Sequence, residues 1–245
     1  MPILGVLFDI DDTLVDYSGS EAAGVLAHVE AEGLADRFTD PAAAVTLWRE
    51  VMERHYARFL SGELTFSEQQ RERAREFLGR IGAAPHGLSD EEASAWFDGY
   101  RARRAGMRAA FPDAGPVLRK LAADHRLGVV SNSAEDHQRR KLDAVGLLGF
   151  FGDRIVCSDR HGAAKPAPSI FLAGCAALAL APHEVAYVGD KYDLDALGSH
   201  RAGLHAYWLD RSGGGTPTEA GIRVVTSLDE LPALLAARPG GASGP

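Results

Sequence analysis

Cysteine is scarce in this chain: Cys157 and Cys175 are the only two in 245 residues, and neither sits in a paired motif. A disulfide-stapled scaffold and a cysteine-ligated metal cluster are excluded, and both thiols are expected to be buried small hydrophobes. Long apolar stretches are absent too, so nothing reads as a bilayer span. The opening Met1-Pro2-Ile3-Leu4-Gly5 lacks the basic region and cleavage pattern of a secretion signal and reads as the start of a strand. Cytoplasmic residence is the resulting expectation. Positive charge is in deficit: 26 Lys and Arg stand against 34 Asp and Glu, a formal net charge of −8. This balance argues against nucleic acid or a membrane surface as partner, while a local cationic site for a small anion stays compatible with it.

What is present is ordinary for a globular protein, with 46% hydrophobic and 24% charged residues. The length suits one large domain or a core carrying a smaller insert. Residues 3–8 form a short apolar run that stops abruptly in acids, the pattern of a buried parallel strand. Similar runs cover 127–130, 154–157, 185–188 and 204–209, with helical patterns at 115–124, 134–145, 168–180 and 195–202. Alternating strand and helix signals predict an α/β domain with a parallel sheet.

One stretch breaks the alternation. Between about Ser18 and about Met107 only helical patterns occur, near 20–32, 41–60, 67–79 and 90–104, with Ser67 as a candidate N-cap. The predicted organisation is a Rossmann-like core over 1–17 and 108–237 and an inserted all-helical cap over 18–107. The tail 238–245, rich in Gly, Pro, Ala and Ser, is expected to be disordered.

Ligands of parallel α/β sheets bind beyond the carboxyl ends of the strands. The first predicted strand ends in Asp9 and Asp11, and the second in Ser131-Asn132-Ser133. Lys165 follows the third, and Gly189-Asp190 closes the fourth, with Asp193 and Asp195 just after. Carboxylates, a hydroxyl and an ammonium are thus expected at one rim.

With these motifs the chain resembles the haloacid dehalogenase-like (HAD) hydrolases. Asp9-Ile10-Asp11-Asp12-Thr13 is similar to that family's first motif, Ser131-Asn132 to the second and Lys165-Pro166 to the third. Gly189-Asp190 through Asp195 matches the fourth, and the helical insert resembles the C1-type cap. The resemblance implies a magnesium-dependent phosphatase acting on a small phosphorylated metabolite. In it, Asp9 is the nucleophile that forms an aspartyl-phosphate, and Asp11 is the general acid/base. It further implies Mg2+ held by Asp9, Asp190 and the Asp11 backbone carbonyl. Ser131 and the Asn132 N–H hold phosphoryl oxygens, Lys165 supplies positive charge, Asp195 orients Lys165 and Thr13 steadies the loop. Asp12 and Asp193 read mainly as structural residues. Pro166-Ala167-Pro168 departs from the family's more usual Lys-Pro-Asp-Pro and bears on helix entry.

Three alternatives are carried. A sugar phosphomutase shares both aspartates. A 2-haloacid dehalogenase lacks an acid at the position of Asp11, which disfavours it. A non-catalytic binding protein would have lost Asp9, Lys165 or Asp190. Arg71, Arg73 and Arg75 read as a solvated, salt-bridged helix face, while one of Arg101, Arg103, Arg104 and Arg108, or Asp16 and Tyr17, is a candidate for substrate contact.

Overall fold

The structure is a computed structural model that describes residues 2–236, so the 238–245 tail lies outside the described residues. The chain divides into two compact units: residues up to Asp16 with those from Ala109 onward, and Tyr17–Arg108. Among the described residues no helix is long and apolar enough to cross a membrane.

After strand β1 (Gly5–Phe8) the chain enters the helical unit, built of α1 (Tyr17–Ala31), α2 (Pro41–Leu60), α3 (Phe66–Arg80) and α4 (Asp90–Ala105). Their starts are written locally. Asp40 caps α2 by accepting from the Ala43 N–H at 2.9 Å. Thr65 with Glu68 and Ser89 with Glu92 form reciprocal capping boxes on α3 and α4. The N-cap of α3 is therefore Thr65, not Ser67: Glu68 stands three residues after Thr65 and can return its bond. Val25, Val29, Trp48, Phe77, Leu78, Phe97 and Tyr100 fill the centre of the unit.

The arginines of α3 do not form one solvated face. Arg71 and Arg75 both pair with Asp90. Arg73 lies off their face and turns inward, with its guanidinium carbon 4.6 Å from the Trp48 ring centre and 5.0 Å from that of Phe97. A two-residue step rotates a helical side chain far enough to carry it from solvent to core.

The other unit is a six-stranded sheet of order β3-β2-β1-β4-β5-β6. It is completed by β2 (Arg126–Ser131), β3 (Ile155–Cys157), β4 (Val185–Gly189), β5 (His205–Leu209) and β6 (Arg223–Val225), and all neighbours run parallel. The helices are α5 (Ala114–Leu121), α6 (Glu135–Ala144), α7 (Ser158–His161), α8 (Pro168–Leu178), α9 (Leu197–Arg201) and α10 (Leu231–Ala236). β1 is central, with Phe8 opposite Val129 on one side and Val188 on the other. Its side chains alternate between two cores: Val6 and Phe8 join one with Leu118 and Val188, Leu7 the other with Phe171 and Tyr187. Burial on both faces explains why the strand reads as an unbroken apolar run. β6 was not anticipated, because three residues on a sheet edge that begin with an exposed Arg leave no hydrophobic pattern. Strand order reverses at β1, which opens a crevice beyond the carboxyl ends of β1 and β4.

Candidate active site

Asp9 leaves β1 with its N–H bonded to the Val188 carbonyl at 2.9 Å. The chain then curls tightly: the Ile10 carbonyl accepts from Leu14 and Val15, each at 2.9 Å, and the Asp12 N–H bonds to Val15 at 2.8 Å. Asp12 adopts φ +59°, a left-handed conformation that Asp tolerates better than most residues. Arg211 holds the same loop from outside, donating to the Thr13 carbonyl at 2.9 Å. The Thr13 side chain is fully buried, and its hydroxyl finds no partner among the described residues.

Lys165 is the hub. Its ammonium lies 2.5 Å from Asp9 Oδ1, 2.7 Å from Asp195 Oδ1 and 3.1 Å from the Tyr187 hydroxyl. Burial pushes the Asp9 carboxyl up to about 7; Lys165 acts against this, and the Asp195 and Asp11 charges add to it. Burial disfavours the Lys165 charge as well, but the two carboxylates more than offset that and hold the ammonium protonated, above its ordinary value. Asn132 fixes the lysine backbone from both sides, donating to the Lys165 carbonyl at 2.9 Å and accepting from its N–H at 2.6 Å. The Asn132 side chain is thereby committed to positioning Lys165.

Asp195 is reached through one π-type turn, Tyr192–Ala196, ahead of α9. Its Oδ2 accepts the Lys191 N–H at 3.0 Å, and its Oδ1 accepts the Tyr187 hydroxyl at 3.0 Å. A Cβ at Gly189 would collide with the Asp195 carboxylate, which accounts for glycine at the end of β4. Asp193 is exposed on the same turn and takes no part in this cluster.

Asp11 turns to another partner. Lys141 on α6 places its ammonium 2.5 and 2.7 Å from the two Asp11 oxygens. Gln138, one turn earlier, donates to Asp11 Oδ2 at 3.2 Å and to Ser131 Oγ at 3.0 Å. Gln138 so bridges the ends of β1 and β2. Neither residue was expected from sequence. A Gln and a Lys in a charged helical segment look solvated, and only their i, i+3 spacing hints at a shared inward face.

The oxygens of Asp9, Asp190 and Asp195 lie within 4.8 Å of one another. Asp195 already accepts three protein donors, two on Oδ1 and one on Oδ2. Asp190 Oδ1 is buried without a hydrogen-bond partner among the described residues, and Asp9 keeps Oδ2 outside its bond to Lys165. Burial and the neighbouring Asp195 charge raise Asp190 to about 6, with Lys191 acting against them. Two under-satisfied carboxylates of this kind suit a hard cation such as Mg2+, which takes oxygen ligands and keeps several waters.

The family profile "Hydrolase: haloacid dehalogenase-like hydrolase" matches residues 3–203. The chain belongs to this family. N-acylneuraminate-9-phosphatase of Rattus norvegicus is 30% identical over 95% of this chain and 94% of its own length. Phosphoserine phosphatase of Thermus thermophilus is 32% identical over 84% of this chain and 88% of its own length. A HAD-hydrolase of Bacillus subtilis, solved with magnesium bound, superposes with a TM-score of 0.72 at 21% identity, covering 97% of this chain and all of the other. That last likeness concerns the fold.

Cys157 and Cys175 are free and buried, and burial raises the two thiols to about 12 and about 11. Both are thus unreactive packing residues, apart from the chemistry of the family.

Proposed function

We propose that this haloacid dehalogenase-like hydrolase is a magnesium-dependent phosphatase of a small phosphorylated metabolite, with Asp9 as nucleophile and Asp11 as general acid/base. The observation that carries the reading is the Lys165 bridge between Asp9 and Asp195, with Asp11 two residues on and separately paired. The names of the two phosphatase relatives support the substrate class.

In this reading Asp9 Oδ2 attacks phosphorus while Lys165 holds Oδ1 and steadies the carboxylate. The bond from phosphorus to the ester oxygen breaks, and that oxygen takes a proton from Asp11, which enters this step as the protonated acid and leaves it as the carboxylate that pairs with Lys141. The product alcohol leaves an aspartyl-phosphate on Asp9. A water then attacks phosphorus, gives its proton to Asp11 and restores the Asp9 carboxylate as inorganic phosphate departs. Ser131 Oγ and the Asn132 N–H donate to the phosphoryl oxygens. Asp9 and Asp190, with the Asp11 carbonyl by family resemblance, would hold Mg2+, whose charge offsets repulsion between carboxylate and phosphate. Lys141 and Gln138 keep Asp11 in place beside Ser131. The acid at position 11 also sets this reading apart from dehalogenation.

The test is hydrolysis of p-nitrophenyl phosphate with Mg2+. Asp9→Asn is expected to lose at least about a thousandfold in kcat, the scale seen when a covalent nucleophile is removed. Turnover at the unmutated rate rejects Asp9 as nucleophile.

A further inference from the structure

A lysine ammonium has three protons to give and no lone pair with which to accept. For Lys165 the protein itself takes all three: Asp9 Oδ1 at 2.5 Å, Asp195 Oδ1 at 2.7 Å and the Tyr187 hydroxyl at 3.1 Å. Lys165, Asp9, Asp195 and Tyr187 are each at least nine-tenths buried. A cation beside a nucleophile is a natural donor to a phosphoryl oxygen, yet here no N–H is left over for one.

The third acceptor is the unexpected one. Tyr187 is the only polar side chain on β4, whose sequence is otherwise Val, Ala, Val and Gly. Strand alternation puts it on the same face as Val185, in the core that also holds Phe171. Its ring meets Phe171 edge to face with 5.0 Å between centres. Phenylalanine would serve that packing as well, and a hydroxyl in an apolar core is unfavourable unless it is bonded. The bonds are all at the catalytic end of the ring.

Their directions follow from the donor inventory. The ammonium can only donate, so the tyrosine oxygen accepts from it. The hydroxyl proton then goes to Asp195 Oδ1 at 3.0 Å or to the Val130 carbonyl at 3.3 Å. Burial, with the Asp195 and Asp9 charges, holds the phenol well above its ordinary value, which keeps that proton in place. Lys165, Asp195 and Tyr187 thus close a triangle, and Asp9 is bonded to its lysine corner.

We propose that Tyr187 is a positioning residue of the active site: its hydroxyl takes the third proton of Lys165 and dedicates the lysine to Asp9 and Asp195. Lys165 then acts on the phosphoryl group through its charge alone, and the hydrogen bonds to phosphoryl oxygens come from Ser131 and the Asn132 N–H. The consequence for phosphate rests on the phosphatase reading; the allocation of the three protons does not.

Two measurements on the full chain test it. The first compares Tyr187→Phe with the unmutated chain in hydrolysis of p-nitrophenyl phosphate with Mg2+, using inorganic phosphate as competitive inhibitor. The variant keeps the ring and the lysine charge and removes one acceptor. Its kcat is expected to fall about tenfold as the ammonium loosens on Asp9 Oδ1, while the phosphate inhibition constant stays within about twofold. Thermal melting is read alongside, so that the comparison is made on folded protein. An unchanged kcat overturns the proposal. A phosphate constant that weakens in step with kcat also overturns it, because Tyr187 would then be aiming Lys165 at the phosphoryl oxygens.

The second measurement needs no hydrolysis. Ammonium protons open to water exchange too fast to be seen in proton–nitrogen correlation spectra at neutral pH, whereas protons held by three buried acceptors exchange slowly. The signal that disappears in Lys165→Met is expected to be visible in the unmutated chain, to persist when inorganic phosphate is added and to broaden in Tyr187→Phe. A Lys165 signal lost to exchange in the unmutated chain, or one unaltered in Tyr187→Phe, overturns the proposal. If no phosphate ester is hydrolysed at all, the phosphatase reading fails and the spectra alone decide where the three protons go.

Discussion

The ammonium of Lys141 sits 2.5 and 2.7 Å from the two carboxylate oxygens of Asp11, across 130 residues of sequence. The lysine is almost fully buried while Asp11 is about one-third exposed, so the pair presents the carboxylate toward solvent and keeps the cation behind it. In the proposed mechanism this is the group that gives and takes the proton, and Gln138 holds it on the side of the Ser131 hydroxyl.

Removing that cation should be costly. Charge-assisted hydrogen bonds contribute about 1.5–3 kcal/mol, and about 1.4 kcal/mol is a tenfold change in rate. Lys141→Met is expected to lower kcat roughly ten- to a hundredfold for esters with poor leaving groups, and less for p-nitrophenyl phosphate. A leaving-group series measures this, and equal loss across the series contradicts a role through Asp11.

Asn132 holds Lys165 by two backbone bonds of 2.9 and 2.6 Å. Asn132→Ala leaves the lysine ammonium in the protein but frees its main chain. The expected result is a fall in kcat of about tenfold and a loss of about 1 kcal/mol in urea unfolding, the ordinary worth of such bonds. Unchanged kcat would show that Lys165 is positioned by its ion pairs alone.

Metal affinity should depend on pH in a defined direction. Asp9 is raised to about 7 and Asp190 to about 6, so both carboxyls increasingly carry protons as the pH falls below those values. A divalent cation must displace those protons. Apparent Mg2+ affinity is therefore expected to be highest above pH 7 and to weaken by about tenfold per pH unit for each proton displaced below it. Trp208, whose indole N–H bonds the Asp190 carbonyl at 2.8 Å, offers a fluorescence readout. Constant affinity from pH 8 to pH 5 contradicts binding at these carboxylates.

Asp113 and Arg211 tie the start of α5 to the catalytic loop. Arg211 bonds both Asp113 oxygens at 2.9 and 3.0 Å and the Thr13 carbonyl at 2.9 Å, while Asp113 also accepts from the Leu228 N–H and Ser227 Oγ, each at 3.0 Å. Burial acts to raise the Asp113 carboxyl, but these donors prevail and hold it below its ordinary value. Its stabilising contribution is present above the unfolded carboxylate value near 4 and is lost as the pH falls through the lower folded value. Asp113→Asn should flatten that acid-side loss in thermal melting. Arg211→Met should lower stability by about 2–3 kcal/mol and slow turnover through the freed Thr13 carbonyl.

The legible parts of the chain share a cause. β1 stands between β2 and β4, so its residues are apolar without interruption until Asp9, and the break marks the strand end. The chemical residue types at the ends of β1, β2 and β4 were visible for the same reason. Local hydrogen bonding explains the near agreement of the helix starts, and also the two-residue error at Thr65, where two capping oxygens, those of Thr65 and Ser67, compete. β6 had no comparable signal, and Arg73 was read as solvated because helix periodicity says which residues share a face, not which face is inside.

By itself, the sequence determined a parallel α/β sheet interrupted by helices and an acidic and cationic set at the strand ends. Both follow from period, propensity and the abrupt meeting of apolar and charged residues, all of them local. Only the tertiary structure decided that Lys141 pairs with Asp11, that Asn132 clamps Lys165, that Arg211 holds the Thr13 carbonyl and that Arg73 is buried against Trp48. These are contacts across 25 to 198 residues, and which long-range partner a charged side chain meets depends on the packing of whole elements, about which its neighbours in sequence carry no information.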